Sequence, residues 1–267
     1  MTLPSPHRAA APAAAAAGYT RRSLLTGAFA LAGAAALPVA AAGPAYSAAG
    51  PNVIACTTWG ARAASEPVVV LANRPERIVV HHTATANVTD YSQQRAYALA
   101  KAIQNYHMNA QGWIDTGQHF TISRGAFVLE GRHHSLAELN TGRRQVRAAH
   151  CVGQNTVSIG IENEGTYTSQ APPAAQFAAL ADLCARVCSQ YGLPASEIYG
   201  HRDFNATSCP GDRLYALLPT LRKEVATRLG TPLSQPEAED PVWDLVRQVT
   251  DRPSATLGEY LPAGLLP

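Results

Sequence analysis

The chain has little lysine and little charge overall. Only Lys101 and Lys223 are lysines, and 15% of the 267 residues are charged. The formal net charge of +2 depends on three arginines in residues 1–50, which contain no acid. A protein that binds nucleic acid without sequence preference needs a basic patch, and the sequence after residue 50 provides none. We therefore expect no nucleic-acid partner. The hydrophobic content of 46% also excludes a fully disordered chain.

A long hydrophobic run is also missing. The most apolar stretch, residues 27–42, contains Pro38 and is shorter than the ~20 strongly apolar residues of a membrane-spanning helix. It follows Arg21 and Arg22 after four residues. This pattern predicts a twin-arginine-type signal peptide over residues 1–49, with an uncleaved N-terminal anchor as the alternative. We expect a secreted or cell-wall protein with no membrane contact after signal cleavage.

The number of cysteines is odd. The five are Cys56, Cys151, Cys184, Cys188 and Cys209. In an exported protein an odd number means that at least one is unpaired or has another role, and we expect this of Cys209. The other four allow three pairings, among which the sequence does not choose. Cys184 and Cys188 are four residues apart on a predicted helix, so each could pair with Cys56 or Cys151.

The hydrophobic pattern predicts an α/β domain. Apolar and β-branched runs predict strands at 77–82, 119–122, 126–130, 157–162 and 197–201. Helical periodicity predicts helices at 93–107, capped by Asp90, at 174–191, and at 212–229 with an interruption at Pro219. Strands interspersed with helices favour a central mixed β-sheet flanked by helices, in a single domain over residues 50–230. Residues 231–267 are richer in Pro and Gly and are predicted to be a C-terminal appendage or tail.

Candidate zinc ligands occur near the ends of two predicted strands. His201 ends one strand, and Cys209 follows in a loop closed by Pro210 and Gly211. His81 ends another strand, whereas the adjacent His82 must point to the opposite face because side chains alternate. Two His and one Cys leave a fourth position open, which is typical of a catalytic zinc site. The alternative is a structural Cys near a His.

Glu162 is the candidate proton carrier. Gly160, Glu162 and Glu164 share one face of a predicted strand, and Ile159 and Ile161 share the other. A carboxylate beside a metal-activated water can act as a general base. The alternative is a solvated strand face with ordinary acids.

Five short motifs occur in the order known from one family. They lie at 59–62 (WGAR), 80–84 (VHHTA), 112–117 (GWIDTG), 158–162 (SIGIE) and 200–212 (GHRDFNATSCPGD). Together they resemble the N-acetylmuramoyl-L-alanine amidase type 2 family, which includes peptidoglycan recognition proteins. The resemblance covers about residues 56–225 and implies the same mixed sheet flanked by helices. It also implies that His81, His201 and Cys209 are the ligands of a Zn²⁺ cofactor.

Further roles follow from the resemblance. Thr207 lies where the family places a Lys or Thr that stabilises the oxyanion. A family Tyr that orients water is replaced by Gln118, whose amide cannot serve as a base. Glu162 matches a catalytic Glu of the amidase branch that recycles wall fragments, so our hypothesis is that Glu162 acts where others use Tyr.

Other residues are candidate substrate contacts. His119 and His150 lie in regions that line the substrate groove in the family. Gln118, the position at which this sequence departs from the family's Tyr, is next to His119. Asn163 and Glu164 could contact the stem peptide or form the exposed end of a strand. Each of these residues could instead be structural.

The implied reaction is zinc-dependent hydrolysis of the amide between N-acetylmuramic acid and L-alanine in peptidoglycan or muropeptides, by a monomer. The alternative is a peptidoglycan-binding recognition module with little or no hydrolytic activity. A third possibility is a zinc hydrolase of the same fold that acts on another amide, such as that of a small wall-derived fragment.

Overall fold

A six-stranded sheet forms the centre of the protein in the computed structural model, which describes residues 50–230. The strand order is β1-β5-β4-β7-β3-β8, and a separate two-stranded sheet pairs β2 with β6. Only β4 and β5 are antiparallel within the large sheet, so it is mixed. The strands are β1 Val53–Ile54, β2 Val70–Leu71, β3 Arg77–His82, β4 Phe120–Ile122, β5 Val128–Glu130, β6 Gln145–Val146, β7 Ser158–Asn163 and β8 Ile198–Gly200.

Helices pack on both faces of this sheet. They are α1 Cys56–Trp59, α2 Gln93–Asn109, α3 Ser135–Thr141, α4 Ala174–Tyr191, α5 Asp212–Ala216 and α6 Leu218–Arg228, with short 3₁₀ turns at Ala195–Glu197 and His201–Asp203. The main core lies between the sheet and α4 and α6, and it takes in Ile159 and Ile161 of β7. Helices α1 and α2 share a smaller core with Leu129 of β5.

The two faces of the sheet therefore differ in chemistry. Because side chains alternate along a strand, the neighbours of Ile159 and Ile161, namely Gly160 and Glu162, face away from α4. The same alternation turns Ile78 and Val80 of β3 into the main core and His81 to the opposite face. The sheet thus buries its apolar face against α4 and α6 and presents its polar face as the place for chemistry.

The predicted fold class is confirmed, and several details are corrected. Ser92, not Asp90, caps α2: its Oγ accepts a hydrogen bond from Arg95 N, whereas the Asp90 carboxylate accepts from Ser92 N. The strand predicted at 197–201 is shortened to β8, with a 3₁₀ turn on each side. The predicted interruption near Pro219 is present, since α5 and α6 are separate and the proline lies in the first turn of α6, where it costs no hydrogen bond.

None of the three pairings that the sequence left open is formed, because all five cysteines are free and buried. The Cys56 thiol points at the carbonyl of Gly131, 3.3 Å away, and that of Cys151 at Asn205 Oδ1, 3.2 Å away. Cys184 and Cys188 lie inside the main core. These four thiols are thus buried as free cysteines, two beside polar oxygens and two among apolar side chains.

Within residues 50–230 no helix is long and apolar enough to cross a membrane. The predicted signal peptide and the predicted C-terminal appendage fall outside the residues that the structure describes.

Candidate metal centre

The three predicted ligands meet at the ends of two adjacent strands. Strands β3 and β8 run parallel with Val80 opposite Gly200, so His81 and His201 follow side by side. The ligand atoms of His81, His201 and Cys209 all lie within 4.8 Å of one another, and all three residues are buried. Cys209 Sγ is 3.7 Å from His81 Nδ1, and the two imidazole centroids are 4.5 Å apart.

The loop that brings Cys209 to this place is held by its own hydrogen bonds. Arg202 N donates to the carbonyl of Cys209 at 3.0 Å, and Cys209 N donates to Thr207 Oγ1 at 3.1 Å. The Arg202 guanidinium reaches Asp212 and the carbonyl of Ser208. Arg202 thus braces the loop that carries Cys209.

His82 lies outside the cluster, as strand alternation predicts. Its Nδ1 accepts a hydrogen bond from Tyr167 N at 3.2 Å on the other side of the strand. Burial, followed by the charge of Arg202, lowers the pKa of His82 to about 4. The backbone N–H of His82 donates to Cys209 Sγ at 3.4 Å, so only its main chain touches the cluster.

The residues present fit a zinc ion. Burial, and then the neighbouring His150 and His201, lower the pKa of His81 well below its ordinary value, so the imidazole is neutral and has a lone pair to offer. Two imidazoles and one thiol are donors that zinc prefers, and three protein ligands are typical of catalytic sites. Among the described residues, this is the group of His, Cys and acidic side chains close enough to hold a metal.

Glu162 lies beside this group. It is opposite His81 in the pairing of β3 with β7, and opposite Thr121 in the pairing of β4 with β7. The side chain is buried, and within the described part of the chain neither carboxylate oxygen has a hydrogen-bond partner. Burial raises its pKa to about 8. The alternative of a solvated strand face is therefore wrong, and the acid can both accept and release a proton near neutral pH.

Gln118 lies near the same face. Its Nε2 donates to Thr121 Oγ1 at 2.8 Å, and its buried Oε1 has no hydrogen-bond partner among residues 50–230. Thr121 is thus a neighbour of both side chains: it contacts Gln118 through a hydrogen bond and lies opposite Glu162 in the pairing of β4 with β7.

The candidate substrate contacts are buried. His119 uses both ring nitrogens on the main chain: Nε2 contacts Val146 O at 2.9 Å, and Nδ1 accepts from Gly160 N at 3.0 Å. Asn163 donates from Nδ2 to the carbonyl of His81 at 2.9 Å, so it supports the strand that presents the first ligand. The alternative of an exposed strand end is wrong, because Asn163 and Glu164 are both buried.

The cluster includes partners that the sequence analysis assigned differently or missed. His150, a candidate substrate contact, places Nδ1 2.9 Å from His81 Nε2. Asn205, which the sequence analysis did not single out, places Oδ1 3.0 Å from His201 Nε2. The sequence feature that could have indicated this contact is the position of Asn205, four residues after His201 in a turn-forming segment.

Two relatives are similar to this chain in sequence. Peptidoglycan-recognition protein SC2 of Drosophila melanogaster is 32% identical over 169 residues, which is 62% of this chain and 84% of that protein. The human N-acetylmuramoyl-L-alanine amidase is 33% identical over 154 residues, 56% of this chain and 25% of that protein.

Solved structures show the same fold. Drosophila PGRP-LB superposes with a TM-score of 0.55 at 26% identity, covering 63% of this chain and 93% of that one. A complex of the recognition proteins LCa and LCx with tracheal cytotoxin gives 0.55 at 28% identity, covering 63% and 95%. The sequence profile described as N-acetylmuramoyl-L-alanine amidase (Amidase_2) matches residues 71–212, more than half of the chain. The chain therefore belongs to the N-acetylmuramoyl-L-alanine amidase (Amidase_2) family.

Proposed function

We propose that this protein is a zinc-dependent N-acetylmuramoyl-L-alanine amidase that acts on peptidoglycan or its muropeptides. The observation that supports this most directly is the buried grouping of His81, His201 and Cys209 within 4.8 Å. Membership of the family supports peptidoglycan as the substrate class. The relatives crystallised with tracheal cytotoxin, described as monomeric diaminopimelic acid-type peptidoglycan, support a muropeptide-sized ligand.

His81, His201 and Cys209 would hold the zinc. When bound, zinc polarises the scissile carbonyl and makes water a better nucleophile at neutral pH. Glu162 takes a proton from the attacking water and passes it to the departing L-alanine nitrogen, a role that suits a carboxylate of raised pKa. Thr207, which is half-buried next to the Cys209 amide, donates its hydroxyl proton to the developing oxyanion.

The site of action is the cell wall or the extracellular space, reached through a twin-arginine signal peptide at residues 1–49, and the protein acts as a monomer. Support for the location comes from the substrate: peptidoglycan lies outside the cytoplasmic membrane. Arg21 and Arg22 before a weakly apolar run support the route.

A recognition module with little hydrolysis is the second candidate. Gln118 at the position of the family Tyr favours it, as do the relatives named recognition proteins. Cys209 and the unpartnered Glu162 favour the enzyme, because a binding module needs neither a third ligand nor a buried acid.

The test is digestion of purified peptidoglycan by the full-length protein, followed by mass analysis of the soluble products. We expect stem peptides with free L-alanine amino termini, and we expect a chelator and Cys209→Ala each to abolish their release. Cys188→Ala, which removes a buried thiol from the main core, is the matched control and should retain the activity. Protein that sediments with the wall but releases no peptide would overturn the enzyme in favour of the recognition module.

A further inference from the structure

The hydrogen bonds around His81 connect it to a second buried histidine. His81 Nδ1 faces Cys209 Sγ at 3.7 Å, and Nε2 contacts His150 Nδ1 at 2.9 Å. A neutral imidazole has one N–H and one lone pair. In the contact between the two rings, one nitrogen must therefore donate and the other must accept.

The far end of this series of hydrogen bonds decides which histidine donates. Ser158 Oγ donates to the carbonyl of Gln154 at 2.9 Å, and a carbonyl can only accept. The hydroxyl proton of Ser158 is thus committed, so its oxygen accepts from His150 Nε2, 3.4 Å away. His150 Nδ1 then has the lone pair and accepts from His81 Nε2–H. This assignment leaves the lone pair of His81 on Nδ1, the nitrogen that faces Cys209.

His150 is held in the position that this contact requires. Its ring lies against Gly160, where an added Cβ would be 2.4 Å from His150 Cδ2, so any larger residue at 160 would displace the ring. Its backbone N–H donates to Asn155 Oδ1 at 2.7 Å. His150 is also only 2% exposed, which suits a supporting role better than a contact with substrate.

Asn205 gives His201 the same kind of partner. Asn205 Nδ2 faces two carbonyls, Phe204 O at 2.9 Å and Val152 O at 3.4 Å. The amide oxygen must then be the atom that faces His201 Nε2 at 3.0 Å, where it can only accept. His201 thus has its proton on Nε2 and its lone pair on Nδ1. The Cys151 thiol, 3.2 Å away, donates to the same oxygen.

One segment therefore supports both histidine ligands. His150 contacts His81 directly, and the next two residues, Cys151 and Val152, hold the amide of Asn205 against His201. We propose that His150 and Asn205 are positioning residues, which fix the tautomers of His81 and His201 so that both present Nδ1 to the metal. The zinc part of this inference rests on the proposed function, whereas the tautomers are a property of the protein without metal.

The first test measures the tautomers in the metal-free, full-length protein by long-range ¹H–¹⁵N NMR correlation. We expect protonated Nε2 and unprotonated Nδ1 in both His81 and His201. His150→Phe keeps a ring but removes the acceptor, and Asn205→Leu removes the amide oxygen. Each change should allow its own partner histidine to carry the proton on either ring nitrogen.

The second test measures zinc affinity by competition with a chelator. His150→Phe and Asn205→Leu should weaken binding by ~10–100-fold, as is usual when the outer partner of a ligand is lost. His150→Asn and Asn205→Asp each retain an oxygen acceptor and should restore most of the affinity. His107→Phe is the matched control, because this buried histidine lies on α2 and accepts a hydrogen bond from Gly117 N.

A proton on Nδ1 of His81 in the metal-free protein would overturn the proposal. Zinc affinity in His150→Phe and Asn205→Leu equal to that of His107→Phe would overturn it as well. Neither measurement uses peptidoglycan, so a protein with these tautomers and tight zinc binding but no cleavage would contradict only the proposed amidase activity. If His150→Phe fails to fold, the comparison of His150→Asn with the wild type decides the outcome.

Discussion

Two buried glutamates lie two residues apart near the end of β7 and have opposite surroundings. Glu164 is fully paired: Oε1 accepts from Arg95 Nε at 3.1 Å, and Oε2 accepts from Arg124 N at 2.8 Å. Glu162 is equally buried, but neither of its oxygens has a hydrogen-bond partner within residues 50–230. Burial raises the pKa of Glu162 to about 8, which follows from the absence of any compensating charge.

The difference separates an acid that stabilises the fold from one that is available for chemistry. An ionised carboxylate is costly to bury unless it is paired and hydrogen-bonded. Glu164 has such partners, whereas Glu162 has none within residues 50–230 and is largely protonated in the metal-free protein at neutral pH. A buried acid with a perturbed pKa beside a group of metal-binding side chains is a candidate functional residue. Glu164 links α2 to the sheet through Arg95, and Glu162 faces the metal centre.

The largest expected effect is on catalysis at Glu162. Glu162→Gln keeps the shape of the side chain but cannot accept the proton, so we expect the rate of stem-peptide release to fall by ~10²–10⁴-fold. Zinc affinity should be unchanged and the variant should still fold, because Glu162 holds no hydrogen bond that the structure describes. Steady-state kinetics on soluble muropeptides would measure the fall. Unchanged turnover would remove Glu162 from the mechanism and erase the contrast with Glu164.

The next effect is on stability at Glu164. Glu164→Ala leaves the Arg95 guanidinium, whose side chain is 7% exposed, without its carboxylate, and we expect a loss of ~3–5 kcal/mol in the free energy of unfolding. Zinc affinity per folded molecule should stay the same. Urea denaturation and chelator competition would measure the two quantities. A variant of normal stability would show that the pair with Arg95 does not support the fold and would erase the contrast with Glu162.

The local sequence pattern was enough to predict that Glu162 lies on the same face of the sheet as His81. Strand alternation placed His81 and Glu162 on the face opposite to Ile159 and Ile161, and the motif resemblance supplied the candidate ligands. Alternation depends only on neighbours in the chain, so it can be read from sequence. The same rule correctly kept His82 out of the cluster.

Contacts between distant segments could not be predicted in this way. The pairing of Arg95 with Glu164 and of His150 with His81 joins residues 69 positions apart, and it depends on the strand order β4-β7-β3-β8. The burial of Glu162, and hence its raised pKa, depends on what covers the polar face of the sheet. The sequence could not decide between paired and free cysteines for a related reason, because counting thiols gives no information about which side chains meet in the core.

Measured per pH unit, the smallest effect is a pH dependence of stability that Glu162 should have by itself. Its pKa is about 8 in the folded metal-free protein against an ordinary value of 4.5, so the folded state binds a proton that the unfolded state has lost between these pH values. The contribution of Glu162 to the free energy of unfolding is then fully present below about pH 4.5. It is lost as the pH rises through about 8, by up to about 1.4 kcal/mol per pH unit. Buried His81 and His150, whose pKa values are lowered, act in the opposite sense below pH 6.5, but both are present in Glu162→Gln as well. The stability of Glu162→Gln relative to the wild type should therefore increase steadily from pH 5 to pH 8, as urea denaturation of the two metal-free proteins would measure. A difference that stays constant over this range would mean that Glu162 is ionised in the folded protein and has a partner like that of Glu164.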